Sequence, residues 1–398
     1  MEGIEYREMQ PDDVFSALAL RNEVFPDALV SQENWEKDEM LASIAVLEGE
    51  VVGAIPLVLR ETTIAPGVTI TAAFENSVGT REELRSQGIG RGMIEKAREF
   101  LPGRADALFV YRGDERSDGY RFYATTNHYD LLYSRHYSYG SPETSYLPPG
   151  VTLAGKESIF LNTERLEAIF NSTYGRFGGY PQRRGDYWQR ALDSSIYAEF
   201  PTDFSFVHII QSDELLGYAI CGMRTTRHNG MANVLEMATL GADLSIAQRI
   251  LTGVASVAGE RKLGVDIQIS DADPFRPLFQ ANGFLSEPRG TIIMGQVIDV
   301  PSFFEKHWSE RFGLYNTALE VTTPKDDYVL IDPETRQSTL TLEMKEETLH
   351  RWLLGRLDLR ARLAEGSVTA YGTNSPVIER VCDAIPCSPW AYHFIDWI

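Results

Sequence analysis

The sequence contains few cysteines and no long apolar stretch. Three cysteines among 398 residues are too few and too scattered for a disulfide framework or a zinc site. The seven histidines show no metal-ligand spacing such as His-Glu-x-x-His, and no run of about 18 apolar residues could span a membrane. The segment from Met1 to Glu5 lacks the basic and apolar regions of a signal peptide. The sequence therefore predicts a cytoplasmic protein with reduced cysteines, no metal and no membrane span.

Basic residues are scarce as well. Lysine and arginine number 37 against 57 aspartates and glutamates, which gives a formal net charge of −20. Such a balance argues against nucleic-acid partners and anionic membranes, and it is compatible with a cationic substrate. A length of 398 residues with 43% hydrophobic residues predicts two or three globular domains.

One glycine-rich segment stands out against this acidic background. The apolar strand predicted from Thr69 to Val78 leads into a loop with Arg85, Gly88 and Gly90, and a helix with one apolar face follows. Glycines let backbone N–H groups close on an anion, and the start of a helix adds partial positive charge. The segment therefore predicts a phosphate cradle, although a glycine turn before a surface helix is the simpler structural alternative.

Spacing distinguishes between nucleotide-binding motifs. A Walker loop needs a lysine directly after its last glycine, and neither Gly88 nor Gly90 is followed by one. A dinucleotide fingerprint needs Gly-x-Gly-x-x-Gly, whereas Gly88, Gly90 and Gly92 alternate. The pattern that does fit is Gln/Arg-x-x-Gly-x-Gly/Ala, the acyl-CoA loop of the GNAT acetyltransferases, which this segment resembles. The resemblance implies that acetyl-CoA is the co-substrate and is bound by Val78, Gly79, Thr80, Arg85, Ser86, Gln87, Gly88, Ile89, Gly90 and Arg91.

A tyrosine downstream of the loop is the candidate general acid. The family places a tyrosine on a helix, a glycine four residues later and then an aromatic residue; here the positions hold Tyr123, Asn127 and His128. Asparagine tolerates the left-handed conformation that glycine would adopt. The resemblance implies that Tyr123 protonates the departing CoA thiolate, a general-acid role. Tyr120, one turn earlier, is the rival candidate.

The sequence then repeats itself without the loop. A strand-turn-strand pattern at residues 44–53 recurs at 206–217, followed by the segment Leu240–Arg249, which has no Gly-x-Gly, and by Phe279 in place of Tyr123. We interpret residues 149–298 as a degenerate GNAT domain that does not bind CoA, following a catalytic domain at 1–148; chance similarity of two hairpins is the alternative. Residues 299–398 form an α+β unit whose aromatic tail docks into the protein. The fold class is thus mixed α+β and α/β.

Three units in this order resemble the Eis-type (enhanced intracellular survival) acetyltransferases. The resemblance implies a sterol-carrier-like C-terminal domain, a homo-hexamer, and acetylation of cationic amines such as aminoglycosides. It also implies that the terminal carboxylate of Ile398 acts as general base, although the family's tail often ends in Phe. Glu75, on the strand before the loop, and water are the other candidate bases.

Two functional hypotheses follow. The first is an N-acetyltransferase in which a primary amine of an aminoglycoside, polyamine or lysine attacks the thioester directly. The second is a non-catalytic protein that binds acyl-CoA or lipid on the same scaffold, suggested by the unusual Asn127 and His128.

Overall fold

The computed structural model describes most of the chain. The described residues are 3–26, 29–32, 35, 41–111, 118–142, 146–193, 202–224, 230–314, 316–372 and 375–396. Ile398 therefore lies outside them.

The described elements are numbered in chain order. The strands are β1 (Ile4–Glu8), β2 (Leu41–Leu47), β3 (Glu50–Ala65), β4 (Val68–Glu75), β5 (Gly79–Thr80), β6 (Ala107–Tyr111), β7 (Tyr129–Tyr139), β8 (Val151–Ala154), β9 (Tyr180–Pro181), β10 (Thr202–Gln211), β11 (Glu214–Arg224), β12 (Met231–Thr239), β13 (Gly264–Ser270), β14 (Leu285–Ser286), β15 (Gly290–Val297), β16 (Thr317–Thr322), β17 (Asp327–Ile331), β18 (Ser338–Glu343) and β19 (Thr369–Tyr371). The α-helices are α1 (Val14–Val24), α2 (Ile89–Phe100), α3 (Asp118–Thr125), α4 (Lys156–Phe160), α5 (Thr163–Tyr174), α6 (Tyr187–Leu192), α7 (Leu244–Glu260), α8 (Arg276–Ala281), α9 (Val300–His307), α10 (Ser309–Phe312), α11 (Glu346–Leu353), α12 (Leu359–Ala364) and α13 (Ser375–Ala384).

The first fifteen strands form one continuous sheet. Its two parallel pairs, β4 with β6 and β12 with β13, are each connected through a helix, α2 in the first half and α7 in the second. Apart from the two-residue strands β5 and β14, the order β4–α2–β6–α3–β7 is thus repeated as β12–α7–β13–α8–β15. The repeat inferred from two hairpins therefore extends to the parallel pairs and their helices.

The two halves exchange strands at their junction. Strand β15 lies between β6 and β7 and is antiparallel to both, while β7 also pairs with β13. The sheet of the first half is therefore completed by residues 290–297, and the sheet crosses the domain boundary predicted at residue 148.

The C-terminal unit has a sheet of its own, but its apolar core is continuous with residues of the large sheet such as Phe74 and Phe109. Its strand order is β17-β16-β18-β19, with β16 and β18 parallel. Trp308 and Trp352 are fully buried between this sheet and its helices because each lies on the apolar face of its segment. Cys221 is a packing residue as expected, whereas Cys387 is exposed.

Candidate active site

The gap beside the glycine loop arises where the chain leaves β6 but stays beside β3. Pairing between β4 and β6 ends at Glu75 and Val110, after which the Asn76 N–H donates to the carbonyl of Pro56. The chain then pairs with β3 through β5. The strand predicted to reach Val78 therefore stops at Glu75, because the next residues keep contact with β3 and lose their pairing with β6. This departure separates the Val78–Thr80 segment from the end of β6.

The glycines of the loop have separate structural roles. Gly88 directly precedes α2 and has a left-handed conformation, with φ 84°. No side chain of the described residues caps the helix, so the first N–H groups of α2 stay open to a ligand. Gly90 makes room for Phe122, because a Cβ there would lie 2.7 Å from its ring. Gly92 packs against the ring of Tyr6 in the same way. Met93, Ile94 and Ala97 bury the predicted apolar face.

Tyr123 lies beside Val78, in the segment that leads into the loop. It forms a small buried cluster with Val110 and Met294, and Val78 packs against this cluster. The rival Tyr120 donates its hydroxyl to Oδ2 of Asp130, 3.2 Å away. The structure thus brings together Tyr123 and Val78, which the sequence placed in one site.

Glu75 and His128 form a buried pair next to Tyr123. His128 Nε2 lies 2.7 Å from Glu75 Oε1, and both side chains are fully buried. Thr126 Oγ1 lies 3.1 Å from His128 Nδ1 and thereby holds the imidazole from its other side. The His128 ring meets the Tyr123 ring edge-on, with centroids 5.3 Å apart. Within the described residues, Glu75 Oε2 has no hydrogen-bond partner.

The sequence did not identify this pair. Two features of the sequence could have indicated it: His128 stands where the family has an aromatic residue, and Glu75 lies in an apolar strand. By contrast, the prediction for Asn127 is confirmed, since its φ is 63°.

The C-terminal tail docks beside the same end of the sheet. Tyr392 meets Tyr111 with ring centroids 6.1 Å apart, and Tyr111 stacks on Phe74, directly before Glu75. Trp390 donates its indole N–H to the carbonyl of Ile64 at 2.9 Å. The tail is therefore buried as predicted, up to the last described residue.

A buried ionic cluster fixes that last residue. The Arg183 guanidinium lies 2.8 Å from Asp396 Oδ1 and 2.8 Å from Glu236 Oε2. The hydroxyl of Tyr187 donates to Asp396 as well, and the hydroxyl of Tyr218 donates to Glu236. Burial raises the pKa of Asp396, while the Arg183 charge acts in the opposite direction. Arg183 and Tyr187 of the second half thus hold the C-terminal tail in place through Asp396.

The second copy of the loop is closed to an anion. At the start of α7, the Asp243 carboxylate accepts hydrogen bonds from the N–H groups of Ser245 and Ile246, at 2.7 and 3.1 Å. These backbone bonds lower the pKa of Asp243. A carboxylate therefore occupies the position where α2 is uncapped.

Comparison with known proteins agrees with this geometry. Residues 7–126 match the acetyltransferase (GNAT) family. The N-terminal part of the chain is a GNAT acetyltransferase domain. No curated protein matches the sequence.

Solved structures extend the GNAT likeness beyond this domain. A probable N-acyltransferase from Enterococcus faecalis V583 has a TM-score of 0.72 at 12% identity, covering 100% of both chains. Eis1 from Mycobacterium abscessus has a TM-score of 0.59 at 12% identity, covering 99% of this chain and 98% of its own. A tandem GNAT protein of the clavulanic acid biosynthesis pathway has a TM-score of 0.52 at 15% identity, covering 74% of this chain and 99% of its own. The Eis-type resemblance and the tandem GNAT fold are thus confirmed at the level of the fold.

Two further features are absent from the described residues. No group of three or more histidine, cysteine, aspartate or glutamate side chains among them could hold a metal ion. None of the described helices is long and apolar enough to cross a membrane.

Proposed function

We propose that the protein is an acetyl-CoA-dependent N-acetyltransferase that acts on a primary amine of a cationic small molecule or of lysine. The observation that carries this proposal is the convergence of an uncapped helix N-terminus, the Val78–Thr80 edge and Tyr123 at one gap in the sheet. The GNAT family match supports an acyltransferase.

The donor fits the residues present. The open N–H groups of α2 and the Arg85 and Arg91 guanidinium groups suit a pyrophosphate. Among the described strands only β3 pairs with the Val78–Thr80 segment, which leaves its β6 side for an amide-containing arm, although the Thr80 carbonyl accepts a hydrogen bond from Arg85 Nε at 3.2 Å. Acetyl-CoA supplies an activated acyl group as a thioester. Ser86 with φ 63° and Gly88 shape the turn between them.

Tyr123 supplies the proton that the reaction needs at sulfur. As the amine nitrogen bonds to the acyl carbon and the C–S bond breaks, Tyr123 protonates the departing thiolate. Its ring is fixed by Val110, Met294 and the edge of His128, so the phenol is held in one orientation.

The base that removes the amine proton has two candidates in this protein. The Ile398 carboxylate is the one implied by the Eis-type resemblance, and the docking of the tail through Asp396 supports it, since two residues span at most about 7 Å. Glu75 is the runner-up, supported by its burial beside Tyr123 and by its unpartnered Oε2. Appending one glycine after Ile398 distinguishes them, because it displaces only the terminal carboxylate.

The remaining parts of the proposal follow the resemblance. We assign residues 299–398 to a sterol-carrier-like domain, and we expect a homo-hexamer in the cytoplasm. Size-exclusion chromatography with light scattering tests the assembly.

The activity is tested by thiol release. Purified protein, acetyl-CoA and a panel of aminoglycosides, polyamines and lysine peptides are mixed with a thiol reagent. We expect turnover with at least one amine, and Tyr123→Phe to lower kcat by about 10²- to 10⁴-fold. Tyr120→Phe is the matched control and keeps the rate within a few fold.

Binding of CoA without turnover across the whole panel would instead favour the non-catalytic alternative. Full turnover by Tyr123→Phe would show that another group is the acid.

A further inference from the structure

A second cleft lies along α2, beyond its N-terminus. It has a volume of about 190 Å³ and lies between α2 and the end of α3. Its lining includes Arg91, Glu95 and Arg98 from α2 and the residues 125–127 that follow α3. Arg91 and Arg98 are two turns apart, or about 10 Å along the helix axis.

The two arginines of this cleft are not neutralised. Within the described residues, neither Arg91 nor Arg98 has an ion-pair partner, although the chain carries a formal charge of −20. On another face of the same helix, Lys96 is paired with Glu99 at 2.7 Å. Glu95 is the acidic residue of the cleft lining, so the lining carries a net positive charge.

A third cation comes from the C-terminal unit. Lys325 Nζ donates to Asn127 Oδ1 at 2.7 Å, so its ammonium group lies at the edge of the cleft. The turn between β16 and β17 presents it: the Thr323 N–H donates to the Asp326 carbonyl at 2.9 Å, and the Asp326 N–H donates to Thr323 Oγ1 at 3.0 Å. An ammonium has three donors, and the neutral Asn127 leaves the Lys325 charge uncompensated.

We propose that this cleft binds the 3′-phosphate of CoA, and that Lys325 brings the C-terminal unit into donor recognition. The inference rests on the proposed donor. A pyrophosphate at the uncapped start of α2 would leave the ribose phosphate able to reach the cleft further along the helix, where Arg98 and Lys325 offer donors from two domains. The cleft thereby distinguishes CoA from its 3′-dephospho form.

The test is binding rather than turnover. Calorimetry compares CoA with 3′-dephospho-CoA for the wild-type protein and for Lys325→Gln, Arg98→Gln and Asn127→Gly. We expect the wild-type protein to prefer CoA by about tenfold or more, and each charge-neutralising variant to reduce that preference by about three- to tenfold. Affinity for 3′-dephospho-CoA should stay nearly constant.

Lys262→Gln controls for the loss of a surface charge, and Asn127→Gly tests the contact that holds Lys325. Lys262→Gln removes an equally exposed charge from the turn after α7 and should keep the preference. Asn127→Gly removes the hydrogen bond to Lys325 and suits the backbone, since φ at this position is 63°. It should weaken the preference without lowering the melting temperature.

The outcomes separate this inference from the proposed function. Tight CoA binding with no preference, or a preference unchanged in both Lys325→Gln and Arg98→Gln, overturns the inference and leaves the donor assignment intact. Failure of the wild-type protein to bind either nucleotide overturns both.

Discussion

His128 and Glu75 are 53 residues apart in the chain, yet Nε2 of the imidazole lies 2.7 Å from Oε1 of the carboxylate. Both side chains are excluded from solvent, so this contact partners Glu75 Oε1 with Nε2, while Thr126 Oγ1 faces Nδ1 of the same imidazole. His128 stands where the GNAT pattern has an aromatic residue, and it thus gives the buried Glu75 carboxylate a hydrogen-bonding partner.

Breaking this pair on one side should destabilise the fold. His128→Phe keeps a ring at the position and leaves Glu75 buried without its partner, so we expect a loss of about 3–5 kcal/mol in the free energy of unfolding. The double variant Glu75→Leu with His128→Phe should recover most of the loss, because it buries no charge. Urea unfolding measures both; a His128→Phe loss below about 1 kcal/mol would show that the pair contributes little.

One donor molecule should bind per chain. Gly88→Asp gives α2 the acidic side chain that Asp243 gives α7, and we expect it to abolish CoA binding, because the carboxylate repels phosphate from the helix N-terminus. Gly88→Asn is the matched control, since it has the same shape, tolerates the left-handed backbone and carries no charge. Calorimetry gives the stoichiometry and the affinity of CoA binding. Two sites per chain, or equal affinities of the two variants, would contradict a single site at the start of α2.

The Asp396 anchor should control access to the end of the tail. Asp396→Asn removes the ion pair but leaves Arg183 paired with Glu236, so the protein should still fold. We expect carboxypeptidase to release Ile398 and Trp397 faster than from the wild-type protein, as followed by mass spectrometry. Asp383→Asn, an exposed acid bound to Arg360, is the control.

If the Ile398 carboxylate is the base, the same substitution should also lower kcat. Deleting Trp397 and Ile398 should lower it as well, and the two changes together should cost no more than the deletion alone. A further loss in the combined variant would indicate that Asp396 acts on the rate by another route.

Stability should fall as pH rises through the titration of Asp273. Burial raises the pKa of Asp273 to about 7, whereas an unfolded aspartate titrates near pH 3.8. The folded state thus holds a proton that the unfolded state has lost, so stability is fully present below about pH 4 and declines until about pH 7. The decline is about 4 kcal/mol at most. Asp273→Asn should remove this slope, as measured by urea unfolding from pH 4 to pH 8; parallel curves for the two proteins would refute the assignment.

Local signals in the sequence were sufficient to predict the conformation of the glycine loop and its helix. The left-handed Gly88, the apolar face of α2 and the tolerance of Asn127 for positive φ are properties of a residue and its near neighbours. Strand β6 occupies the predicted residues 107–111 for the same reason, because a short apolar run is bounded by polar segments.

Long-range contacts could not be predicted in this way. The strand before the loop ends at Glu75 rather than Val78, because the chain there loses its pairing with β6, a partner that the local pattern does not identify. Arg183 and Asp396 meet across 213 residues, a contact that no local pattern around either residue indicates. Such pairs depend on how the two halves and the tail are assembled.

The insertion of β15 between β6 and β7 determines what can be removed from this protein. A fragment ending at residue 148 would leave the facing edges of β6 and β7 without their shared neighbour. The second half closes the start of α7 with the Asp243 carboxylate, yet it cannot be deleted without exposing β6 and β7. The sheet beside the glycine loop therefore depends on a strand from the half of the chain whose corresponding helix start is closed.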